Sequence, residues 1–284
     1  MIPMPFEYAR ATSLDDALAK LTAAGEGGKL LAGGHSLVPL MKLRLSEPQV
    51  LIDIARIPDL DGIEERDGRI SIGAATVHDA VATSALLQAR CPALAEAAAS
   101  IGDPQVRNRG TLGGSVAHAD PSADMPAVLL ALDAEMHLKS PRGWRQVKAA
   151  DFFRGLFTVD MRADEIIASV QFTPVRTAAY AKLRQRASHY AIVGVAAALD
   201  VSGGAIRSAR IGVTGATSHA RRLSNVEQAL EGKPLSRETI EGAAQLAAQE
   251  LGEVNVDLHA SADYRRAMVQ VFAGRALSAA MARS

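Results

Sequence analysis

Two glycine pairs constrain this chain more than any other feature. The first, Ala32-Gly33-Gly34-His35-Ser36, follows the apolar run Leu30-Leu31 and precedes a segment rich in Leu, Met and Lys. The second is Thr111-Leu112-Gly113-Gly114-Ser115. Glycine lets backbone N–H groups approach an anion with no Cβ in the way. Successive N–H groups in such a turn form a nest for phosphate oxygens, and a following helix N-terminus adds roughly half a positive charge. Either pair alone fits a tight packing turn as readily as an anion site. Two pairs, each with a hydroxyl residue, suit the two phosphates of a dinucleotide. Neither is a known nucleotide fingerprint. The chain has no G-x-x-x-x-G-K-[ST], which disfavours a P-loop kinase or ATPase. It has no strand-linked G-x-G-x-x-G, which disfavours the standard dinucleotide fold.

The chain is long for one simple domain, at 284 residues, and two or three packed units are expected. A formal net charge of zero gives no electrostatic reason to expect nucleic acid or an anionic membrane surface as partner. The longest apolar stretches, such as "AIVGVAAAL" at 191–199, fall well short of the roughly 20 residues that span a bilayer. The opening "MIPMPFEYAR" lacks a basic segment followed by an apolar one, so no signal peptide is expected. Cys91 is the single cysteine. It cannot form an intrachain disulfide, and alone it cannot hold an iron–sulfur cluster or a structural zinc. A buried structural role is expected for it, with any metal redox centre on another chain.

The chain reads as three units: 1–57, 58–175 and 176–284. In the first, "TSLDDALAKLTAAGE" has a Ser/Thr start, early acidic residues and apolar positions at helical spacing. "KLLAGG" predicts a buried strand ending in a glycine turn. "SLVPLMKLRL" predicts a short helix capped by Ser36, with Pro39 in its first turn, and "QVLIDIA" predicts a second strand. In the middle unit, "RISIG", "AEMHLKS" and "EIIASVQF" read as strands, while "CPALAEAAASI" and 124–132 read as helices. In the third, "AAYAKLRQR", "AIVGVAAALDV" and "IRSARIGVTGA" predict three strands, two of them joined by the turn "SGG". Helices follow at 225–230, 238–251 and 262–281, the last with Tyr264, Met268, Val269 and Phe272 on or near one face.

Two stretches, "AGGHSLVPLMKLR" and "VRNRGTLGGSVAHADPSADMPAVLLAL", closely resemble the FAD-binding medium subunits of the molybdenum hydroxylase (xanthine dehydrogenase) family, in particular those of the aerobic carbon monoxide dehydrogenases. The resemblance extends over the whole chain, including "YAKLRQRASHYAIVG". It implies an α+β fold: two subdomains of the vanillyl-alcohol-oxidase-like FAD-binding type, then a three-stranded antiparallel sheet with a helical bundle. FAD would lie between the first two units with its pyrophosphate on both glycine loops, so that the glycines make room for phosphate. The implied function is electron transfer. This chain would accept electrons from [2Fe–2S] clusters on a small subunit, after oxidation of substrate at a molybdenum cofactor on a large subunit, and pass them to an external acceptor. A dimer of heterotrimers is implied, cytoplasmic, with peripheral association at the inner membrane face as an option. Two alternatives stay open: the FAD subunit of a related N-heterocycle or aldehyde dehydrogenase, and a flavin-free assembly subunit.

The resemblance also implies individual roles. Besides the ten loop residues, Asp124 would bond the ribityl or ribose region, against a plain role as helix N-cap. Lys182, in a K-x-x-x-R pattern with Arg186, would lie near the flavin ring, against a solvated strand lysine. Tyr190 would lie against the isoalloxazine, against packing at a rim. Ile101 and Ile167 would line the cofactor, against ordinary core. Arg107 and Arg109 flank the second loop and read equally as pyrophosphate neutralisers or as surface residues. The backbone N–H of His35 matters in the nest whatever its side chain does, and no catalytic triad surrounds it.

Overall fold

The structure is a computed structural model, and it describes residues 2–284. The chain opens with β1 (Glu7–Arg10), α1 (Leu14–Ala24), β2 (Gly28–Leu31), α2 (Leu37–Lys42) and β3 (Val50–Asp53). These strands form a parallel sheet in the order β1-β3-β2. The Ser13 side chain accepts from the Asp16 N–H and starts α1, which buries Leu14, Ala17, Leu18 and Leu21. The first glycine pair thus sits at the carboxyl end of β2, the end of an open α/β sheet at which ligands collect.

The middle of the chain runs β4 (Ile63–Arg66), β5 (Arg69–Gly73), α3 (His78–Thr83), α4 (Ala85–Arg90), α5 (Pro92–Ala99), α6 (Pro104–Arg107), α7 (Leu112–His118) and α8 (Met125–Ala131). It continues with β6 (Glu135–Ser140), β7 (Gly143–Lys148), α9 (Ala149–Phe152), β8 (Phe153–Gly155), β9 (Thr158–Val159) and β10 (Ile166–Phe172). An antiparallel sheet has the order β4-β5-β10-β6-β7. Strand β10 joins two cores. Ile166 and Ala168 pack with α1 and β3 residues, whereas Ile167, Val170 and Phe172 pack with α5 and α8 residues. Ile166, Ile167 and Ala168 alternate with the two-residue period of a strand, and the bulge between Ile167 and Ser169 shifts the phase so that Val170 and Phe172 fall on the side of Ile167.

The last part comprises β11 (Ala178–Arg184), β12 (Ala191–Ser202), β13 (Ala205–Thr214), β14 (Arg221–Arg222), α10 (Ser224–Leu230), α11 (Arg237–Ala244) and α12 (Ala262–Met281). The sheet is antiparallel, β11-β12-β13-β14, so a two-residue strand is added to the three expected. Val193, Val195, Ala197 and Leu199 of β12 face the core under α12, and Ala196 and Ala198 face the middle core. A strand buried on both faces reads as an unbroken apolar run.

Two expectations need correction here. Tyr264 does not belong to the buried face of α12: it is 45% exposed, and the face is built from Val269, Phe272, Ala273, Ala276, Leu277 and Ala280. The helix expected over 238–251 stops at Ala244, beyond which the chain continues in turns. Among the described residues no helix is long and apolar enough to cross a membrane.

Candidate functional site

The two glycine loops meet. A Cβ built on Gly33 would stand 2.0 Å from the Arg109 carbonyl oxygen, and one on Gly113 would stand 2.5 Å from the Ala74 Cβ. Both positions demand glycine because protein backbone occupies the space, a reason additional to the expected room for phosphate. Gly34 requires glycine for a different reason, its φ of +74°.

Their N–H groups differ as well. Among the described residues, no protein acceptor takes the N–H of Gly33, Gly34, His35 or Ser36. Ser36 stands at the N-cap of α2 but makes no capping bond with its side chain. The second loop satisfies itself. Leu112 N–H donates to Thr76 O (2.9 Å), Gly113 N–H to Ala74 O (2.8 Å) and Ser115 N–H to Thr111 O (3.0 Å). Gly114 N–H donates to Thr111 Oγ1 (3.1 Å), the cap of α7. The second loop is therefore a helix start and not an open nest, and its side-chain hydroxyls are what it can offer to a ligand.

A cleft of about 490 Å³ runs over both loops, within the size range of small-molecule sites. Ala32, Gly33, Gly34, His35, Ser36, Ile101, Thr111, Gly113, Gly114, Ser115, Asp124, Ile167 and Tyr190 line it. Leu112 and Lys182 do not. Leu112 is fully buried in the middle core. Lys182 is buried behind Asp124, with Nζ 2.8 Å from its carboxylate and 3.1 Å from Ser100 O, so the solvated-lysine alternative is overturned. Asp124 occupies the N-cap position of α8, yet its side chain makes no capping bond. It accepts from Lys182 and, at 2.5 Å, from the Tyr180 hydroxyl. Burial raises the Asp124 carboxyl above its usual range, with Lys182 and Tyr180 pulling the other way. Burial likewise lowers the Lys182 ammonium, opposed by Asp124.

Tyr180 was not among the expected site residues. Its signal was present, because it lies two positions before Lys182 on a strand and so shares its face. His78 also lines the cleft unforeseen. The loop between β11 and β12 brings Ser188, His189 and Tyr190 to the mouth. His189, at φ +61°, is pinned by Nδ1 donating to Gly102 O at 2.7 Å, and Tyr190 is 45% exposed. The His35 Nδ1 lies 3.2 Å from Gly33 O and helps fix its own loop. Arg107 donates to Ile101 O and Gly102 O, a bracing role, while Arg109 contributes its carbonyl against Gly33. Cys91 is fully buried, and burial pushes its thiol up to about 12, which makes it inert.

Unpartnered N–H groups, hydroxyls and the apolar side chains of Ile101, Ile167 and Tyr190 share this one cleft, a mixed lining that suits a ligand with an anionic part and an apolar part. Comparisons with known proteins agree. Residues 4–174 match the family model described as FAD binding domain in molybdopterin dehydrogenase. Residues 178–280 match the CO dehydrogenase flavoprotein C-terminal domain. The chain is 42% identical to the carbon monoxide dehydrogenase medium chain of Hydrogenophaga pseudoflava, over 100% of this chain and 99% of the relative. It is 37% identical to the nicotine 6-hydroxylase medium subunit of Paenarthrobacter nicotinovorans, over 98% of each. A solved structure of carbon monoxide dehydrogenase from Hydrogenophaga pseudoflava, lacking the Mo-pyranopterin moiety of its cofactor, superposes with a TM-score of 0.95 at 43% identity. It covers 100% of this chain and 99% of that one.

Proposed function

We propose, from the premise that this chain belongs to the family of FAD-binding subunits of molybdopterin dehydrogenases, that it is the electron-transfer subunit of an aerobic carbon monoxide dehydrogenase. The observation that carries the cofactor assignment is the cleft in which the N–H groups of one glycine loop stand without protein acceptors beside the hydroxyls of the other. FAD, when bound, lets two-electron and one-electron exchange meet at one ring.

The chain's own residues divide that task. The N–H groups of Gly33, Gly34, His35 and Ser36, with the Thr111 and Ser115 hydroxyls, hold the diphosphate. Asp124 fixes the sugar-like chain, itself held by Tyr180 and Lys182. Lys182 neutralises the buried Asp124 carboxylate and so keeps it in place beside the cleft. Ile101, Ile167 and Tyr190 exclude water along the ring. For the organisation we propose units at 1–57, 58–175 and 176–284, a division supported by the sheets, none of which crosses a boundary.

The partners in this reading are a small subunit with [2Fe–2S] clusters and a large subunit with the molybdenum cofactor, in a dimer of heterotrimers in the cytoplasm. Association with the inner membrane face would be tested by whether the complex sediments with salt-washed membranes. A second reading, the FAD subunit of an N-heterocycle hydroxylase, is favoured by the similarity to the nicotine 6-hydroxylase subunit, nearly as high as that to the carbon monoxide dehydrogenase chain.

Two measurements test these statements. Acid precipitation of the purified chain should release all its flavin as FAD, because neither loop holds a cysteine and the His35 ring turns back onto Gly33 O. FMN, no flavin, or flavin left on the denatured protein would contradict that. The assembled complex should oxidise CO in preference to N-heterocycles, and the reverse preference would select the second reading.

A further inference from the structure

His78 is a buried titratable group in the cleft that the roles above leave unexplained. It opens α3, is 4% exposed, and lines the cleft. Its backbone N–H donates to Gly110 O at 2.9 Å, which fixes it beneath the turn leading into the second loop. The Cδ2–Nε2 edge of its ring lies against Gly110: a Cβ built there would stand 3.0 Å from Cδ2 and 3.4 Å from Nε2. Its Nδ1 is sealed from solvent and has no hydrogen-bond partner. A buried polar atom left so is destabilising, and it calls for an explanation.

The tautomer follows from that sealed atom. An orphaned buried N–H is rarer than an orphaned acceptor, so the proton belongs on Nε2, the atom on the Gly110 side. Burial, with His35 as a lesser cause, pushes the imidazole down to about 4, so the ring is neutral near pH 7. The loops themselves show a need for such a donor. The first has N–H groups to give, whereas those of Leu112, Gly113, Gly114 and Ser115 are all engaged within the protein. A diphosphate spanning both loops would be well supplied with N–H donors on one side and poorly on the other.

We infer that His78 completes the second half of this site, its Nε2–H donating from the cleft floor to a diphosphate oxygen of the dinucleotide. The inference rests on the FAD reading above. It makes His78 a group kept at some expense to the empty protein for the sake of the ligand.

The test uses the full chain freed of FAD and titrated with FAD and with ADP, which carries a diphosphate and no flavin. The amide nitrogen of Gln stands about as far from Cβ as imidazole Nε2 does, and that of Asn about as far as Nδ1. His78→Leu should weaken FAD and ADP alike by about tenfold or more, the scale of a lost hydrogen bond to a charged group. His78→Gln should recover most of that loss and His78→Asn should not. Without ligand, His78→Leu should melt at a higher temperature than the wild type, because the orphaned polar atom is gone. The inference is overturned if His78→Leu binds FAD as tightly as the wild type, if Asn rescues as well as Gln, or if FAD weakens while ADP does not. Wild-type protein that takes up no FAD would instead overturn the cofactor reading, and the inference with it.

Discussion

Gly33 carries two demands at once, and they can be separated. Its N–H lacks a protein acceptor, while the place of a Cβ is taken by the Arg109 carbonyl. Gly33→Ala should therefore destabilise the FAD-free chain by about 1–3 kcal/mol, the usual cost of overpacking, as read from urea unfolding. Unchanged stability without FAD would mean that the glycine serves the ligand alone. A different balance holds at His78. Its folded-state value of about 4 lies below the roughly 6.5 of an unfolded histidine. Between those values the unfolded chain binds a proton that the folded chain refuses. The stability contribution is complete above about pH 6.5 and is lost as pH falls towards 4, by on the order of 3 kcal/mol. His78→Leu in the FAD-free chain should flatten that part of the pH profile, and an equal slope in both proteins would contradict the buried neutral imidazole. The glycine pairs were legible in the sequence as special backbone. Their physical reason was not, because the close approach of Gly33 to Arg109 is made by residues far apart in the chain. His78 gave no signal either, since one histidine in "TVHDAV" looks like any other until its Nδ1 is seen sealed.

Elements were legible where burial leaves a plain pattern. Strand β12 stood out because both of its faces are covered, and α1 because its cap and apolar positions coincide. Helix α7 was hidden, since two glycines in its first turn have poor helix propensity, and only the Thr111 cap marks its start. The buried face of α12 was misjudged at Tyr264 because three of its buried positions, Ala273, Ala276 and Ala280, carry small side chains that mark a face only weakly. Between α8 and β11 the structure joins residues that the sequence offered only singly into a clamp: Asp124 at the start of the helix, and Tyr180 and Lys182 on the strand. Asp124 and Lys182 side chains are each 5% exposed, so removing one partner strands a buried charge. Lys182→Met should cost about 3–5 kcal/mol. The double variant Asp124→Asn with Lys182→Met should recover much of it, because no unpaired charge remains. Thermal and urea unfolding of the wild type, both single variants and the double variant gives the coupling. If the double variant is as unstable as the single one, the two residues are not acting as an ion pair.

On the scale of the whole molecule, the cleft is assembled from all three parts of the chain: the loop after β2, the segment from α3 to α8, and the loop between β11 and β12. No one part contains it, and that is why its contents had to be inferred from resemblance before the fold was in view. What the composition did make plain is what this chain lacks for the complete reaction. One cysteine, fully buried and with its thiol held protonated, cannot supply the ligands of an iron–sulfur cluster. In the proposed function, electrons from substrate arrive through other subunits. Isolated chain carrying FAD should be bleached by dithionite, which needs only access to the ring through the mouth near Tyr190. It should not be bleached by CO or by an N-heterocycle. Adding the iron–sulfur and molybdenum partner subunits should restore bleaching by the substrate of the complex. Anaerobic absorbance at the flavin bands follows all three conditions in one sample series. Bleaching by CO with the chain alone would require an oxidation site within these 284 residues, and would remove the argument that substrate chemistry and flavin chemistry are divided between chains.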